Sequence, residues 1–202
     1  MQVKIRSCSR ISLTGLVPAF PLRVVFYGGH YGVTRRGFHR ALREGQVVDI
    51  PAFEPVDLHM GGSLFAASTC RLELDDRRGA VIGTAMASSY EASRRAEHTL
   101  RDLISATVFC QPQRAWNAEL VARSLSISAS SVRRTLFTQG AALTEICRTQ
   151  RLMRALFESM QTGRPLSDLK AVVGWTGGDL EESFYERFGV SLHTVSRLRQ
   201  GV

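Results

Sequence analysis

Lysine is almost missing from this chain. Of its 26 lysines and arginines only Lys4 and Lys170 are lysine, so the net charge of +8 rests on arginine. A guanidinium offers a planar fork of donors suited to phosphates and guanine edges. A GC-rich genome produces the same bias, so position has to decide. Long apolar runs are missing too: none reaches the roughly 18–20 residues that span a bilayer, and no membrane partner is expected. The opening MQVKIRSCSRISLTGLVPAF sets basic residues before an apolar stretch, but Thr14, Gly15 and Pro18 interrupt it. No small-residue cleavage site follows before Arg23, so the stretch reads as the start of a folded domain and the expected location is cytoplasmic. Cysteine is sparse and scattered, at Cys8, Cys70, Cys110 and Cys147, with no CxxC pair. That spacing fits neither a zinc site nor a disulfide framework and predicts reduced, mostly buried thiols. The histidines are scattered as well, and His30 in YGGHYG reads as a turn residue. With no nucleophile–base pair, metal spacing or phosphate loop, neither an enzyme nor a cofactor is expected.

What is present divides into two grammars. The 202 residues are 44% hydrophobic, enough for packed cores. Over residues 1–85, LRVVFYGG, QVVDIPAF, SLFAASTCRLEL and GAVIGTAM are short β-rich runs separated by Gly, Pro and Asp clusters. They predict a small N-terminal sandwich or barrel, a β-barrel-like domain of an α+β protein. Residues 87–109 then turn helical, with Ala92, Ala96, Leu100, Leu103, Ile104 and Val108 on one face. That stripe serves core packing or pairing with a second copy. We place a β-rich regulatory or dimerisation domain at 1–110 and an all-α domain at 111–202, with Pro112 in the join.

From residue 114 the sequence reads as helices and tight turns. AWNAELVARSL is followed by SIS, with Ser128 placed to cap ASSVRRTLFTQG. In that helix Val132 and Leu136 face inward, while Ser130, Ser131, Arg133 and Arg134 are left for the outside. A longer helix, LTEICRTQRLMRALFESMQTG, carries Leu143, Ile146, Leu152, Leu156 and Met160 on its apolar side. The pattern then repeats: PLSDLKAVV, the turn GWTGG, and DLEESFYERFG with Leu180, Phe184 and Phe188 spaced four apart. This is helix–turn–helix grammar used twice, and such a unit feeds the N-terminal side chains of its second helix into the major groove. Arginine there pairs bidentately with guanine. Arg133, Arg134, Ser130 and Ser131 are the candidate base readers, and Arg123, Arg148 and Arg151 the candidate phosphate contacts.

Two such units on one linker helix resemble the AraC/XylS family of bacterial transcription regulators over about residues 112–200. The resemblance rests on Trp116, Ala122, Ile127-Ser128, Arg134 and Gly140 in the first unit and on Arg151-Leu152 and Ala155 in the linker. Gly174-Trp175, Phe184, Phe188 and Gly189-Val190-Ser191 carry it through the second. It implies two recognition helices entering successive major grooves of double-stranded DNA, about 34 Å apart, with a rigid linker between them. It also implies an activator that works with RNA polymerase. A small-molecule or protein effector, or a homodimer, would use the N-terminal domain.

One departure stands out. Glu182 occupies the place where the family carries an arginine, and Asp179, Glu181 and Glu186 lie on the same helix. Residues 112–164 hold eight arginines and three glutamates, a net of +5, whereas residues 165–202 have a net of −1. A carboxylate beside a phosphate is repelled. Three readings stay open: a retained unit that no longer reads bases, an acidic face for a basic partner, or a glutamate that accepts from cytosine. An adaptor that binds another transcription protein through degenerate units is the alternative to a DNA reader.

Overall fold

The structure, a computed structural model, describes residues 1–63, 65–76 and 99–198. The expected strand GAVIGTAM and residues 87–98 of the expected helix lie outside the described residues. The strands are β1 (Gln2–Ser7), β2 (Arg10–Leu16), β3 (Leu22–Gly28), β4 (His30–Arg35), β5 (Phe38–Leu42), β6 (Val47–Ile50), β7 (Val56–Gly61) and β8 (Ser68–Leu74). The helices are α1 (Leu100–Cys110), α2 (Ala118–Leu125), α3 (Ala129–Thr138), α4 (Leu143–Thr162), α5 (Leu166–Val172), α6 (Leu180–Phe188) and α7 (Leu192–Arg197).

Alternation of apolar and polar residues decides the β half. In β8, Ser68, Cys70, Leu72 and Leu74 point inward, and in β1 Val3 and Ile5 do. A period of two sends one face of each strand to the core. The strands form two antiparallel four-stranded sheets, in the orders β1-β8-β3-β6 and β2-β7-β4-β5. This corrects the barrel-like expectation: the domain is a sandwich and its sheets do not close. The edge strands β1 and β2 pack beside α4 and α6 and are not paired with each other, so the helices lie where barrel closure would have put a strand.

The helical half is set by its caps. Thr99 and Asp102 form a capping box at α1, with bonds of 3.2 and 3.1 Å. α4 runs for 20 residues, about 30 Å at 1.5 Å per residue, and ends where Gly163 takes φ +60°. The apolar residues sort into two cores. The sandwich interior is continuous with Leu152, Leu156 and Met160 of α4 and with Leu169, Leu180, Phe184 and Phe188 beyond it. A separate cluster joins Leu100, Ile104 and Val108 of α1 to Val121, Leu125, Val132 and Leu136, and to Ile146 and Cys147 of α4.

The seam between the sandwich and the later helices is tight. Phe20, Phe109 and Phe157 stack edge-to-face at centroid distances of 5.8 and 6.2 Å, a geometry the aromatic quadrupole favours. The Arg6 N–H donates to the Leu198 carbonyl at 2.7 Å, and Gln150 Nε2 to the Val17 carbonyl at 3.3 Å. A Cβ at Gly15 would sit 2.9 Å from the Arg187 carbonyl oxygen, so β2 touches the backbone of α6.

Candidate nucleic-acid interface

α2 and α3 form the first helix pair. Asn117 caps α2 by accepting from the Leu120 N–H at 2.7 Å. Ser126, at φ +55°, ends it in the left-handed region. Ser128 then caps α3, its hydroxyl accepting from the Ser131 N–H at 3.1 Å. Val132 and Leu136 are buried against Val121 and Leu125, and this fixes the rotation of α3. At 100° per residue, Ser130, Arg133, Arg134 and Phe137 then fall within an arc of about 100° on the opposite side. All four are exposed.

Their surroundings differ. Arg133 reaches Glu119 on α2 at 2.7 Å. The Glu119 carboxyl is held below the usual carboxylate range, first by its own backbone N–H in the opening turn of α2 and then by Arg133. Arg134 is exposed and has no hydrogen-bond or ion-pair partner among the described residues, whereas Arg123, exposed one turn beyond Glu119 on α2, adds to the positive field that holds that carboxyl down. Ser130 and Ser131 place their hydroxyls 2.9 and 2.8 Å from the Ser128 hydroxyl, so both belong to the cap as well as to the outer surface. The other two arginines are engaged elsewhere. Arg151 donates to the Pro112 and Arg114 carbonyls at 3.0 Å each, which ties α4 to the chain entering the first pair. Arg148 donates to Glu186 at 3.1 Å and to the Ser183 hydroxyl at 3.3 Å.

The second helix pair, α5 and α6, is docked more deeply. Gly174 takes φ +62°, and a Cβ there would meet the Pro112 carbonyl oxygen at 2.4 Å and Gln113 Cα at 2.6 Å. Asp179 caps α6 by accepting from the Glu181 N–H at 2.9 Å. Glu181 and Glu182 occupy the first turn, where the helix dipole favours negative charge. Superposing the buried pairs Val132/Leu136 and Leu180/Phe184 sets Arg133-Arg134 against Glu181-Glu182 and Phe137 against Tyr185. Their starts do not match. Ser128 stands a full turn ahead of Val132, whereas Asp179 directly precedes Leu180. The turn that presents Ser130 in the first pair has no helical counterpart in the second.

Between the pairs lies a groove of about 710 Å³ over α4, lined by Trp116, Glu119, Arg133, Cys147, Arg148 and Trp175 among others. Burial pushes the Cys147 thiol up to about 11, so it stays protonated and inert. Sequence reasoning missed Glu119 as the partner of Arg133, because only tertiary packing brings α2 beside α3. It also passed over Phe137, although an apolar residue off the Val132/Leu136 stripe was a visible signal.

No family model matches the sequence, and no curated protein matches it. The structure is similar to that of ToxT from Vibrio cholerae O395, with a TM-score of 0.69 at 8% identity, covering 100% of this chain and 98% of that one. The likeness is one of fold. Two ligand-bearing ToxT structures are similar as well. One, from V. cholerae strain SCE256, holds an unsaturated fatty acid, with a TM-score of 0.68 at 9% identity over 100% of this chain and 96% of that one. The other is bound to (E)-4-(8-methylnaphthalen-1-yl)but-3-enoic acid, with a TM-score of 0.65 at 9% identity over 96% and 98%. In this fold α4 is the shared support of both helix pairs. Among the described residues no helix is long and apolar enough to cross a membrane.

Proposed function

We propose that this protein is a sequence-specific DNA-binding regulator of transcription, an activator of the AraC type, whose first helix pair is the main reader. The observation that carries the proposal is the Arg133–Arg134 pair on the open face of α3 within an AraC-like fold. Arg134, unpartnered, reaches a guanine edge. Arg133, braced by Glu119, takes the neighbouring step. Ser130, Ser131 and Arg123 supply hydroxyl and phosphate contacts around them. Arg148 and Arg151 act on the architecture, since one holds α6 and the other the entry to α2.

In this reading the second pair positions the first and does not read bases. Its acids each have a local role. Asp179 is a cap, Glu181 and Glu182 sit at the positive end of α6, and Glu186 answers Arg148. RNA polymerase is the partner of the assembled complex, and a second copy pairs through residues 1–110. Because ToxT structures hold an unsaturated fatty acid and an arylbutenoic acid, a hydrophobic carboxylate is the first effector to try.

Genome-wide capture of DNA by the purified protein, titrated in salt, tests this, with Glu182→Arg in parallel. One short motif with a shallow salt slope, lengthened or tightened by Glu182→Arg, supports a single active reader. Two motifs a helical turn apart, disrupted by Glu182→Arg, would show that the acids read DNA. The adaptor reading is favoured by one observation, the exposed Glu182 and Tyr185 on α6; absence of any salt-sensitive DNA binding would select it.

A further inference from the structure

Phe137 is 83% exposed in the last turn of α3, at the end of an otherwise polar helix face. It is not a displaced core residue, because Val132 and Leu136 already fill the inward side of α3. Leaving a phenyl ring in water forfeits the stabilisation that burial would bring, so the free chain gains nothing from it. Its neighbours say what covers it. Ser130, Arg133 and Arg134 share its arc, and a cationic face of this kind complements a polyanion and repels a basic partner. A protein docking here would have to bury two arginines beside the ring. Duplex DNA would pair the arginines and still offer the ring an apolar contact, because one base presents a hydrocarbon group in the major groove: the C5-methyl of thymine.

We propose that Phe137 reads a thymine methyl group. The inference rests on the reading of α3 as the DNA-reading helix and adds the specificity element that the arginines lack. Phe137 lies three residues beyond Arg134, about 4.5 Å along the helix, a little more than one base-pair step of about 3.4 Å. The thymine therefore stands within one or two steps of the guanine that Arg134 contacts. Ser130 and Phe137 are about 10.5 Å apart along the helix axis, a span that a groove about 12 Å wide admits. Position 185 repeats the aromatic on α6, at 59% exposure. There the adjoining residues are Glu181 and Glu182, which keep phosphates away, so the equivalent ring is a surface residue and not a reader.

The test uses the full-length protein and an operator found by capture. Each thymine is replaced in turn by deoxyuridine, which removes only the methyl group, and binding is measured at fixed salt for the parent, Phe137→Ala and Phe137→Leu. The parent should lose about fourfold at one thymine near the Arg134-sensitive guanine, the worth of one buried methyl. Phe137→Ala should bind the thymine operator more weakly and be indifferent to that replacement, with its salt slope unchanged. Phe137→Leu should keep part of the discrimination. The proposal is overturned if the parent ignores every thymine replacement, or if Phe137→Ala retains the parent's sensitivity. It is equally overturned if Phe137→Ala binds DNA as the parent does and loses only transcription. Absence of any sequence-specific binding would instead sink the reading of α3 itself.

Discussion

The two helix pairs share a plan but are held by different parts of the molecule. The second pair packs into the core that runs through the sandwich, and its α6 lies against β2. The first pair belongs to the other cluster, built with α1 and the first half of α4. One pair is therefore packed on the N-terminal domain and the other on α1. Chemistry follows that division: the second pair carries most of the carboxylates, and the first carries Arg134, which has no ion-pair or hydrogen-bond partner among the described residues.

The sharpest way to break the comparison is at the second pair's glycine. Gly174→Ala adds a Cβ at 2.4 Å from the Pro112 carbonyl oxygen, in a left-handed backbone. Strain and overpacking together should cost roughly 2–4 kcal/mol, read as a fall in the denaturant midpoint. Gly140 in the first pair has nearly the same angle, φ +64°, but nothing within 4 Å. Gly140→Ala should cost only about 1 kcal/mol. Equal losses would mean that the second pair is not docked as described. Arg134→Ala comes next. It should weaken operator binding by about 1–3 kcal/mol and relax one base position, while Glu182→Ala should leave affinity unchanged or raise it. A matching loss at Glu182 would return the second pair to the role of reader.

The caps sharpen the comparison on a smaller scale. Ser128→Ala and Asp179→Ala each remove one side-chain bond to a helix N-terminus and should cost about 1 kcal/mol of stability. In thermal melts the two should be alike. In operator binding only Ser128→Ala should matter, because it frays the turn that carries Ser130.

Much of this architecture was legible in the chain. Val132/Leu136 and Leu180/Phe184/Phe188 declare their faces by spacing alone, and Ser128 announces α3. The alternation in β8, within SLFAASTCRLEL, is equally plain, whereas β1 was not named as a strand. What could not be read is whatever depends on two distant segments meeting. A sequence of alternating strands does not say whether its edges pair with each other or are capped by helices. Sandwich and barrel-like closure were therefore both open, and the structure takes the sandwich, with α4 and α6 packed beside β1 and β2. The same holds for the acids of α6. Their excess was visible, but the answer to Glu186 lies on α4 at Arg148, and no local rule links those positions. Nor does the spacing of Arg151 reveal that its donors face the carbonyls of Pro112 and Arg114.

The smallest expected effects come from the two exposed ion pairs, one in each half of the comparison. Arg133–Glu119 lies within the first helix pair and Arg148–Glu186 ties α4 to the second. Both are open to water, so Glu119→Gln and Glu186→Gln should each leave thermal stability close to the parent's. DNA binding separates them. Removing Glu186 releases Arg148 toward a phosphate and should steepen the salt slope by about one unit, with little change in sequence preference. Removing Glu119 leaves Arg133 unbraced, so non-specific binding should tighten while the ratio of specific to non-specific affinity falls. Because the Glu119 carboxyl is depressed, the pair's contribution is present above the ordinary carboxylate pKa and is lost only as pH falls through the lower folded value. Parent and Glu119→Gln should therefore show parallel operator affinities between pH 6 and 8. A divergence across that range would mean that some other titrating group, and not Glu119, governs Arg133.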